Sequence, residues 1–267
     1  MTNLKTYGRI FYGLGITGIG AMHFFYDGIR PIIMPISYDI AKGISIIVYF
    51  MAVYILLSGI LITIGKYVKP VALILAIFFF ACLVLGHIPA RLLHYSVVVN
   101  NWMDAIKILA LSGGALITAL AFPEGSITGI FNKLDKIAPA GIWFFAIMLC
   151  LFGFGHLRNA QNVSKLVPKY VPWAMFWTYV SGIALLGSGI SFLIGFKVKS
   201  ISFLLAVALI LWLIMLHLYY AIRFPQFQDG ENIIGSFECL AFCGIALLVS
   251  TTYPRQRQNT KTNETEY

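Results

Sequence analysis

Long stretches without a charged residue limit the fold of this sequence more than any other feature. Eight uncharged, mainly apolar runs of 15 to 26 residues follow one another, separated by short polar segments. About 20 apolar residues in a helix cross the hydrocarbon core of a bilayer, and a helix satisfies its own backbone hydrogen bonds there. The runs predict eight transmembrane helices. They cover residues 10–26, 43–65, 70–90, 108–123, 137–157, 171–196, 200–222 and 239–253.

The composition points to the same environment. Hydrophobic residues make up 60% of the chain and charged residues 11%, whereas soluble domains carry about 25% charged residues. A soluble protein of this composition would expose large apolar patches that aggregate. The net charge of +9 does not indicate a nucleic-acid partner, because the basic residues lie between the apolar runs, where they meet lipid headgroups.

The distribution of basic residues predicts an orientation. Eleven of the nineteen Lys and Arg residues fall on the side that holds both termini and the segments near 66–69, 124–136 and 197–199. Because cytoplasmic loops carry an excess of Lys and Arg, we expect a multi-pass protein of the cytoplasmic (inner) membrane with both termini in the cytoplasm. The polar tail, residues 254–267, is expected to be disordered.

The N-terminal and C-terminal halves repeat one pattern. The aligned pairs include His23 with His156, Pro35 with Pro168, Gly59 with Gly189, His87 with His217, Asn101 with Asn232 and Gly113 with Gly244. Four helices per copy return the chain to its starting side, so the copies are parallel repeats about an axis along the membrane normal. The predicted fold class is therefore all-α: a polytopic membrane protein with eight transmembrane helices as two parallel-repeat four-helix bundles, residues 1–122 and 139–253, joined by a cytoplasmic linker at 123–138.

The repeated motif carries a resemblance to a known family. Each copy has Gly-x-x-His near the end of its first helix, a Pro in the next loop, and Ser-Gly in its second helix. These residues are Gly20, His23, Pro35, Ser58 and Gly59 in the first copy, and Gly153, His156, Pro168, Ser188 and Gly189 in the second. The pattern resembles the DoxX/DoxD-like membrane proteins, which have four helices; here the unit is doubled.

The resemblance implies a function. Some members of that family are subunits of thiosulfate:quinone oxidoreductase or accompany membrane redox complexes. It implies a membrane subunit or partner of a quinone-linked redox system, with quinone as a cofactor and a redox protein as partner. Two alternatives stay open: a non-catalytic assembly or interaction protein, and a binder or carrier of a small molecule. The sequence names no reaction and no oligomeric state.

Four histidines are expected to form a layer near the outer face. His23, His87, His156 and His217 each lie near the outer end of an odd-numbered run. Neutral imidazole binds metals and relays protons, so the layer is consistent with a metal or haem, with a ligand-binding or proton-handling site, or with hydrogen bonds that hold helix ends at the interface. No His-x-x-x-His spacing assigns a metal ligand.

Two arginines follow the later histidines of this layer. A helix would align His87, Arg91 and His94 on one stripe, and Arg223 follows His217 in the second copy. Such a stripe suits an anionic or quinone-like head group. It equally suits arginine side chains that extend to lipid phosphates.

The fourth and eighth runs are short and extend upstream to about Asn101 and Asn232, which draws Asp104, Lys107 and Glu238 into the predicted helices. Lys107 and Glu238 align across the repeat and lie roughly 9 Å inside the outer end of their helices. A lone charge there costs a few kcal/mol. Lys107 is therefore expected to pair with Asp104, three residues earlier, and Glu238 to face Lys107, His217 or Arg223. A functional site and a structural ion pair are both consistent with this pattern.

The four cysteines are predicted to be packing residues. Cys82, Cys150, Cys239 and Cys243 all lie in apolar runs, and no Cys-x-x-Cys motif is present. Buried cysteines behave as small hydrophobic residues.

Overall fold

The computed structural model describes residues 2–26, 28–94, 102–123 and 130–253. Within these residues the predicted all-α class is confirmed, and eight helices have 15 residues or more. They are α1 (Thr2–Ala21), α2 (Ser45–Ile64), α3 (Val68–Cys82), α4 (Met103–Ala121), α5 (Gly141–Arg158), α6 (Ala174–Ile194), α7 (Val198–Trp212) and α8 (Glu231–Thr252).

Seven helices in the described residues are long and apolar enough to cross a membrane, which makes the chain a multi-pass membrane protein. They are α2, α4, α6, α8, and the longer stretches Val68–Leu93, Phe131–Arg158 and Val198–Arg223 that contain α3, α5 and α7. The sequence predicts eight spans, and α1 is the difference. Its first half is polar, with Asn3, Lys5 and Arg9, and it is rich in glycine, so its hydropathy falls below that of the other seven.

The position of α1 explains why it is less apolar. It packs between α2 and α8, and its glycines face these neighbours closely. A Cβ on Gly8 would lie 2.9 Å from Leu248, and one on Gly20 would lie 2.6 Å from the backbone nitrogen of Leu56. A helix with protein on two sides needs less lipid-facing apolar surface, and α1 exposes only part of its length, including Tyr7 and Leu14. Because Gly8 faces Leu248 and Gly18 faces Phe237, α1 and α8 are antiparallel, and Thr2 and Thr252 lie at the same end of the bundle.

Helix packing crosses the boundary between the two halves. The first helix of each half packs against the second helix of its own half and the last helix of the other half: α1 against α2 and α8, and α5 against α6 and α4. The two last helices, α4 and α8, also pack against each other. The sequence predicts two consecutive four-helix bundles. The packing instead interlocks the helices of the two halves in one bundle, with α4 and α8 at its centre.

The third helix of each half is interrupted by a π-helical turn that ends in a histidine. Leu83–His87 joins α3 to the short helix Ile88–His94, and Leu213–His217 joins α7 to Leu218–Arg223. Pro89 lacks an N–H and cannot bond the carbonyl four residues earlier, which favours the first turn. The second turn has Tyr219 two residues after its histidine, so proline is not required. Such turns occur frequently at functional sites.

The segment predicted as a linker contains a helix. Residues Ile130–Ile137 are helical and lead through a short 3₁₀ turn into α5. Asp135 in this helix accepts an ion-paired hydrogen bond from Lys69 at the start of α3, with an Nζ–Oδ2 distance of 2.8 Å. The rest of the predicted linker, residues 124–129, and the predicted disordered tail, residues 254–267, lie outside the described residues.

The cysteines are packing residues, as the sequence predicts. All four are free thiols, and Cys82, Cys239 and Cys243 are buried. On α8, the Cys239 and Cys243 thiols lie 3.4 and 3.5 Å from the carbonyl oxygens of Leu209 and Ala206. They therefore hold α8 against α7.

Gly113→Ala is expected to destabilise the bundle, whereas Gly187→Ala is not. A Cβ on Gly113 would lie 2.5 Å from the Gly141 carbonyl oxygen, where α4 meets α5, but one on Gly187 in α6 meets nothing within 4 Å. Overpacking of this kind costs about 1–3 kcal/mol, and alanine on the open helix surface is neutral or mildly stabilising. Thermal unfolding of the two variants in detergent measures the difference. Equal midpoints would mean that the α4–α5 seam is not closely packed.

Candidate functional site

Five charged side chains meet at one end of the bundle. We call Arg91, Asp104, Lys107, Glu231 and Glu238 the ionic cluster. Lys107 Nζ lies 3.0 Å from Glu238 Oε2, 3.3 Å from Asp104 Oδ1 and 3.9 Å from Glu231 Oε1. Arg91 Nη2 lies 3.8 Å from Asp104 Oδ2. The cluster is at the end opposite Lys69 and Asp135, because α3 runs from Lys69 toward Arg91.

Helix geometry brings these charges together. On α8, residues 231, 235 and 238 are spaced i, i+4 and i+7, so Glu231, Gly235 and Glu238 share one face. Asp104 and Lys107 are i, i+3 neighbours on α4. Asp104 and Glu231 both lie in the first turn of their helices, where the helix dipole favours a negative charge. The packing of α4 against α8 then places Lys107 between the two acidic helix starts.

The central ion pair is buried, and its partners were predicted from the sequence. The Glu238 side chain is 5% exposed and that of Lys107 15%. Removal from water costs several kcal/mol per ion, which close pairing offsets. The expectations that Lys107 pairs with Asp104 and that Glu238 faces Lys107 are confirmed. Since α4 and α8 are the last helices of the two halves, this pair joins the halves.

The two arginines of the candidate site differ in position. Arg91 was expected at a lipid phosphate or a ligand head group, but its side chain is 12% exposed and turns inward to Asp104. Asp104 lies in the first turn of α4, so its carboxylate gives the guanidinium a partner within the protein. Arg223 is exposed at the end of Leu218–Arg223, where a lipid phosphate remains in reach. The His94 side chain lies outside the described residues.

His23 and His87 hold a loop. We call residues 28–34 the clamped segment, since both histidines bind its backbone. His23 Nε2 accepts a hydrogen bond from the Arg30 N–H at 3.2 Å, while its Nδ1 donates to the Ile19 carbonyl at 3.0 Å. His87 Nε2 donates to the Ile32 carbonyl at 3.1 Å. Both imidazoles are buried. His23 uses both nitrogens and is therefore neutral, with no lone pair left for a metal.

Arg30 ties the clamped segment to the other half. It is 3% exposed, and its Nη1 donates to the Asp229 carbonyl at 2.6 Å. Tyr26 donates from its hydroxyl to the Pro225 carbonyl at 2.9 Å. Gln228 and Asp229, in the turn before α8, have positive φ angles of 44° and 53°, so the turn that receives Arg30 has a backbone conformation that non-glycine residues seldom adopt.

The histidines of the second half make different contacts. His156 Nδ1 donates to the Phe152 carbonyl of its own helix at 2.8 Å. His217 faces Gly235 of α8, where a Cβ would lie 3.5 Å from its Nδ1. The four histidines of the predicted layer therefore differ in role. His23 and His87 bind the clamped segment, and His217 faces α8, the helix that carries Glu231 and Glu238. Within residues 2–26, 28–94, 102–123 and 130–253, no group of three or more His, Cys, Asp or Glu side chains is placed to hold a metal ion.

Two buried polar atoms near these residues have no hydrogen-bond partner in the part of the chain that the structure describes. They are Glu238 Oε1 and His87 Nδ1. Buried polar atoms are nearly always paired with protein or water, so each exception calls for an explanation. A carboxylate oxygen that accepts nothing is suited to a donor supplied from outside the chain.

Sequence reasoning missed two residues of the site. Glu231 carries a spacing signal, since it lies seven residues before Glu238, which is the spacing of one helix face, but the predicted helix begins one residue later, at about Asn232. Arg30 carries none, because it lies in a loop and its main partner is a backbone carbonyl 199 residues away.

Lys107→Met is expected to destabilise the protein by about 3–5 kcal/mol, because it leaves buried carboxylates without their cation. The double variant Lys107→Met/Glu238→Met should recover part of that loss, since it removes both buried charges. Lys165→Met is the matched control, because Lys165 is exposed. Thermal unfolding in detergent measures all three; a double variant no more stable than Lys107→Met would count against a direct pair.

His87→Leu is expected to loosen the clamped segment, because the Ile32 carbonyl loses its donor. Faster amide hydrogen exchange in residues 28–34 would report this loss. His156→Leu is the control, since His156 bonds only within its own helix among the contacts above, and exchange in 28–34 should not change. Unaltered exchange in His87→Leu would show that the segment does not depend on the imidazole.

No family model, no curated protein and no solved structure matches this chain. The resemblance to DoxX/DoxD-like proteins therefore rests on the repeated Gly-x-x-His, Pro and Ser-Gly residues of the sequence. The chemistry of the ionic cluster is the basis on which a function can be proposed.

Proposed function

We propose that this chain is a DoxX-like membrane subunit that binds the head group of a quinone-type molecule and serves a redox partner protein. The observation that carries the proposal is the buried pair of Lys107 and Glu238, with one carboxylate oxygen unused. Ionisable side chains inside membrane spans are rare and often mark substrate, ion or proton sites. The cluster lies where the apolar helices end, which suits a ligand with a polar head and an apolar body.

The ligand site sits between two repeated halves in this proposal. Close glycine contacts at matched positions support the repeat. Gly113 of α4 faces Gly141 of α5, and Gly244 of α8 faces Gly8 of α1. Gly113 aligns with Gly244, and Gly8 aligns with Gly141. Two seams built from aligned residues are what a duplicated unit would produce.

The central ion pair supports the same axis. Lys107 and Glu238 occupy aligned positions and contact each other at 3.0 Å. Two residues related by a twofold axis touch only when both lie close to that axis. The pair therefore lies at the centre of the proposed symmetry, with Lys in one copy and Glu in the other giving complementary charges.

We take α1 as the eighth transmembrane helix, because it is 20 residues long and runs antiparallel to α8. The Lys/Arg excess then puts Thr2 and Thr252 in the cytoplasm and the ionic cluster toward the outer face of the cytoplasmic membrane. Alternating access by rocking of one half against the other is disfavoured as an alternative, since α1 and α5 each pack into the opposite half.

The proposal predicts saturable binding of a naphthoquinone in the redox pair menadione and menadiol. Gly235→Leu should abolish binding, because the larger side chain would occupy the space beside His217, while Gly235→Ala should retain it, since its Cβ would meet His217 at an ordinary contact distance of 3.5 Å. Equilibrium dialysis with the protein in nanodiscs measures the binding, and thermal unfolding checks that both variants are folded. Absence of saturable binding, or equal binding by the two variants, would contradict the proposed function.

A further inference from the structure

Basic side chains of the N-terminal half gather at the end of the bundle that carries Thr2 and Thr252. We call Lys5, Arg9, Lys66, Lys133 and Lys136 the basic cluster. Lys5 Nζ lies 4.6 Å from the centre of the Phe122 ring, and the guanidinium carbon of Arg9 lies 5.5 Å from it. Arg9 also donates from Nη1 to the Ile62 carbonyl at 3.2 Å and lies against Gly65, the residue before Lys66. These contacts join α1 to the turn between α2 and α3.

An ion pair holds the other two lysines of the cluster at the same end. Lys133 and Lys136 lie on the helix Ile130–Ile137, whose Asp135 binds Lys69 at 2.8 Å. On one face of this helix Phe131 and Leu134 pack against the core. Its two lysines are exposed on the opposite face, which makes the helix amphipathic. The helix is therefore fixed in position with its lysines directed away from the bundle.

The basic cluster lacks counter-charges in the part of the chain that the structure describes. No acidic side chain there lies within 4 Å of any of the four lysines of the cluster. Asp135, on the same helix as Lys133 and Lys136, is bound to Lys69. Like charges gathered on one surface repel one another and attract anions. The cluster therefore suits a ligand that brings negative charge.

The two halves differ in charge at this end. The repeat puts uncharged residues at the positions of Lys5, Arg9 and Lys66; these residues are Ala138, Ile142 and Phe196. Among the described residues, the C-terminal half has two basic residues at this end, Lys197 and Lys199, because α7 runs antiparallel to α8. Orientation in a membrane depends on the total of Lys and Arg on each side. It does not require the charges to concentrate in one half.

The basic cluster lies at the level of lipid head groups. The helical stretch Phe131–Arg158 has 28 residues, which span about 42 Å, whereas the hydrocarbon core of a bilayer is roughly 30 Å thick. Part of the stretch therefore extends beyond the core, and three of its four charged residues lie within residues 131–136. Exposed apolar side chains adjoin the lysines. Ile64, 57% exposed, lies two residues before Lys66, and Ile137, 53% exposed, lies one helical turn after Lys133.

We propose that the basic cluster binds the head group of an anionic phospholipid, with the lysine ammonium groups donating to its phosphate oxygens. This inference goes beyond the proposed function and does not depend on it. The exposed apolar side chains beside the lysines contact the acyl chains, which a soluble phosphate lacks. Each lysine near an anionic lipid surface strengthens the attraction about fivefold.

Native mass spectrometry of the full chain in detergent tests the site by titration with two lipids. They are dioleoylphosphatidylglycerol, which is anionic, and dioleoylphosphatidylcholine, which has no net charge. The first phosphatidylglycerol is expected to bind at least about 25-fold more tightly than phosphatidylcholine, the effect of two lysines at about fivefold each. Lys133→Gln/Lys136→Gln should reduce the preference by about that factor and leave phosphatidylcholine binding unchanged.

The matched control is Lys197→Gln/Lys199→Gln, which removes the same charge at the same end of the bundle and should keep the preference. Thermal unfolding checks that both double variants are folded. Excess glycerol 3-phosphate should not displace the lipid; displacement would assign the cluster to soluble phosphates and overturn the lipid site. Equal affinity of the unaltered chain for the two lipids, or an equal loss of preference in both double variants, would overturn it as well.

Discussion

The ion pair between Lys107 and Glu238 is the constraint around which the bundle is organised. Neither charge is tolerated alone at that depth, because an isolated ion among apolar helices loses its hydration without compensation. Their pairing requires α4 and α8 to lie side by side, in one register, at the centre of the bundle. The positions of the outer helices follow from this central contact, since α1 packs on α8 and α5 packs on α4.

Close contacts at glycine residues supply much of the helix packing around the central ion pair. Lipid-embedded helices gain little from hydrophobic burial against each other, so close backbone approach is their main source of contact energy. Gly8 against Gly244 and Gly113 against Gly141 provide that approach where α1 meets α8 and where α4 meets α5. Together with Asn3, Lys5 and Arg9, the glycines of α1 lower its hydropathy.

The two halves use aligned residues for different purposes. In the N-terminal half His23 and His87 bind the backbone of the clamped segment, and Asp104 is held by Arg91 and Lys107. In the C-terminal half His217 faces Gly235, and Glu238 keeps one oxygen unpaired. Each half leaves one buried polar atom of this region unpaired among the described residues, His87 Nδ1 in the first and Glu238 Oε1 in the second.

The sequence by itself determined the membrane class, the helical elements and the inward pairing of Glu238. Apolar run length and the cost of an unpaired charge are local properties, readable without coordinates. Only the tertiary structure decided that α1 packs on α8, that Arg91 turns to Asp104 rather than to lipid, that Arg30 reaches the Asp229 carbonyl, and that His217 faces Gly235. These contacts depend on which helices become neighbours in the fold. The neighbours are determined by the combined packing of side chains far apart in sequence, so no single segment contains the information.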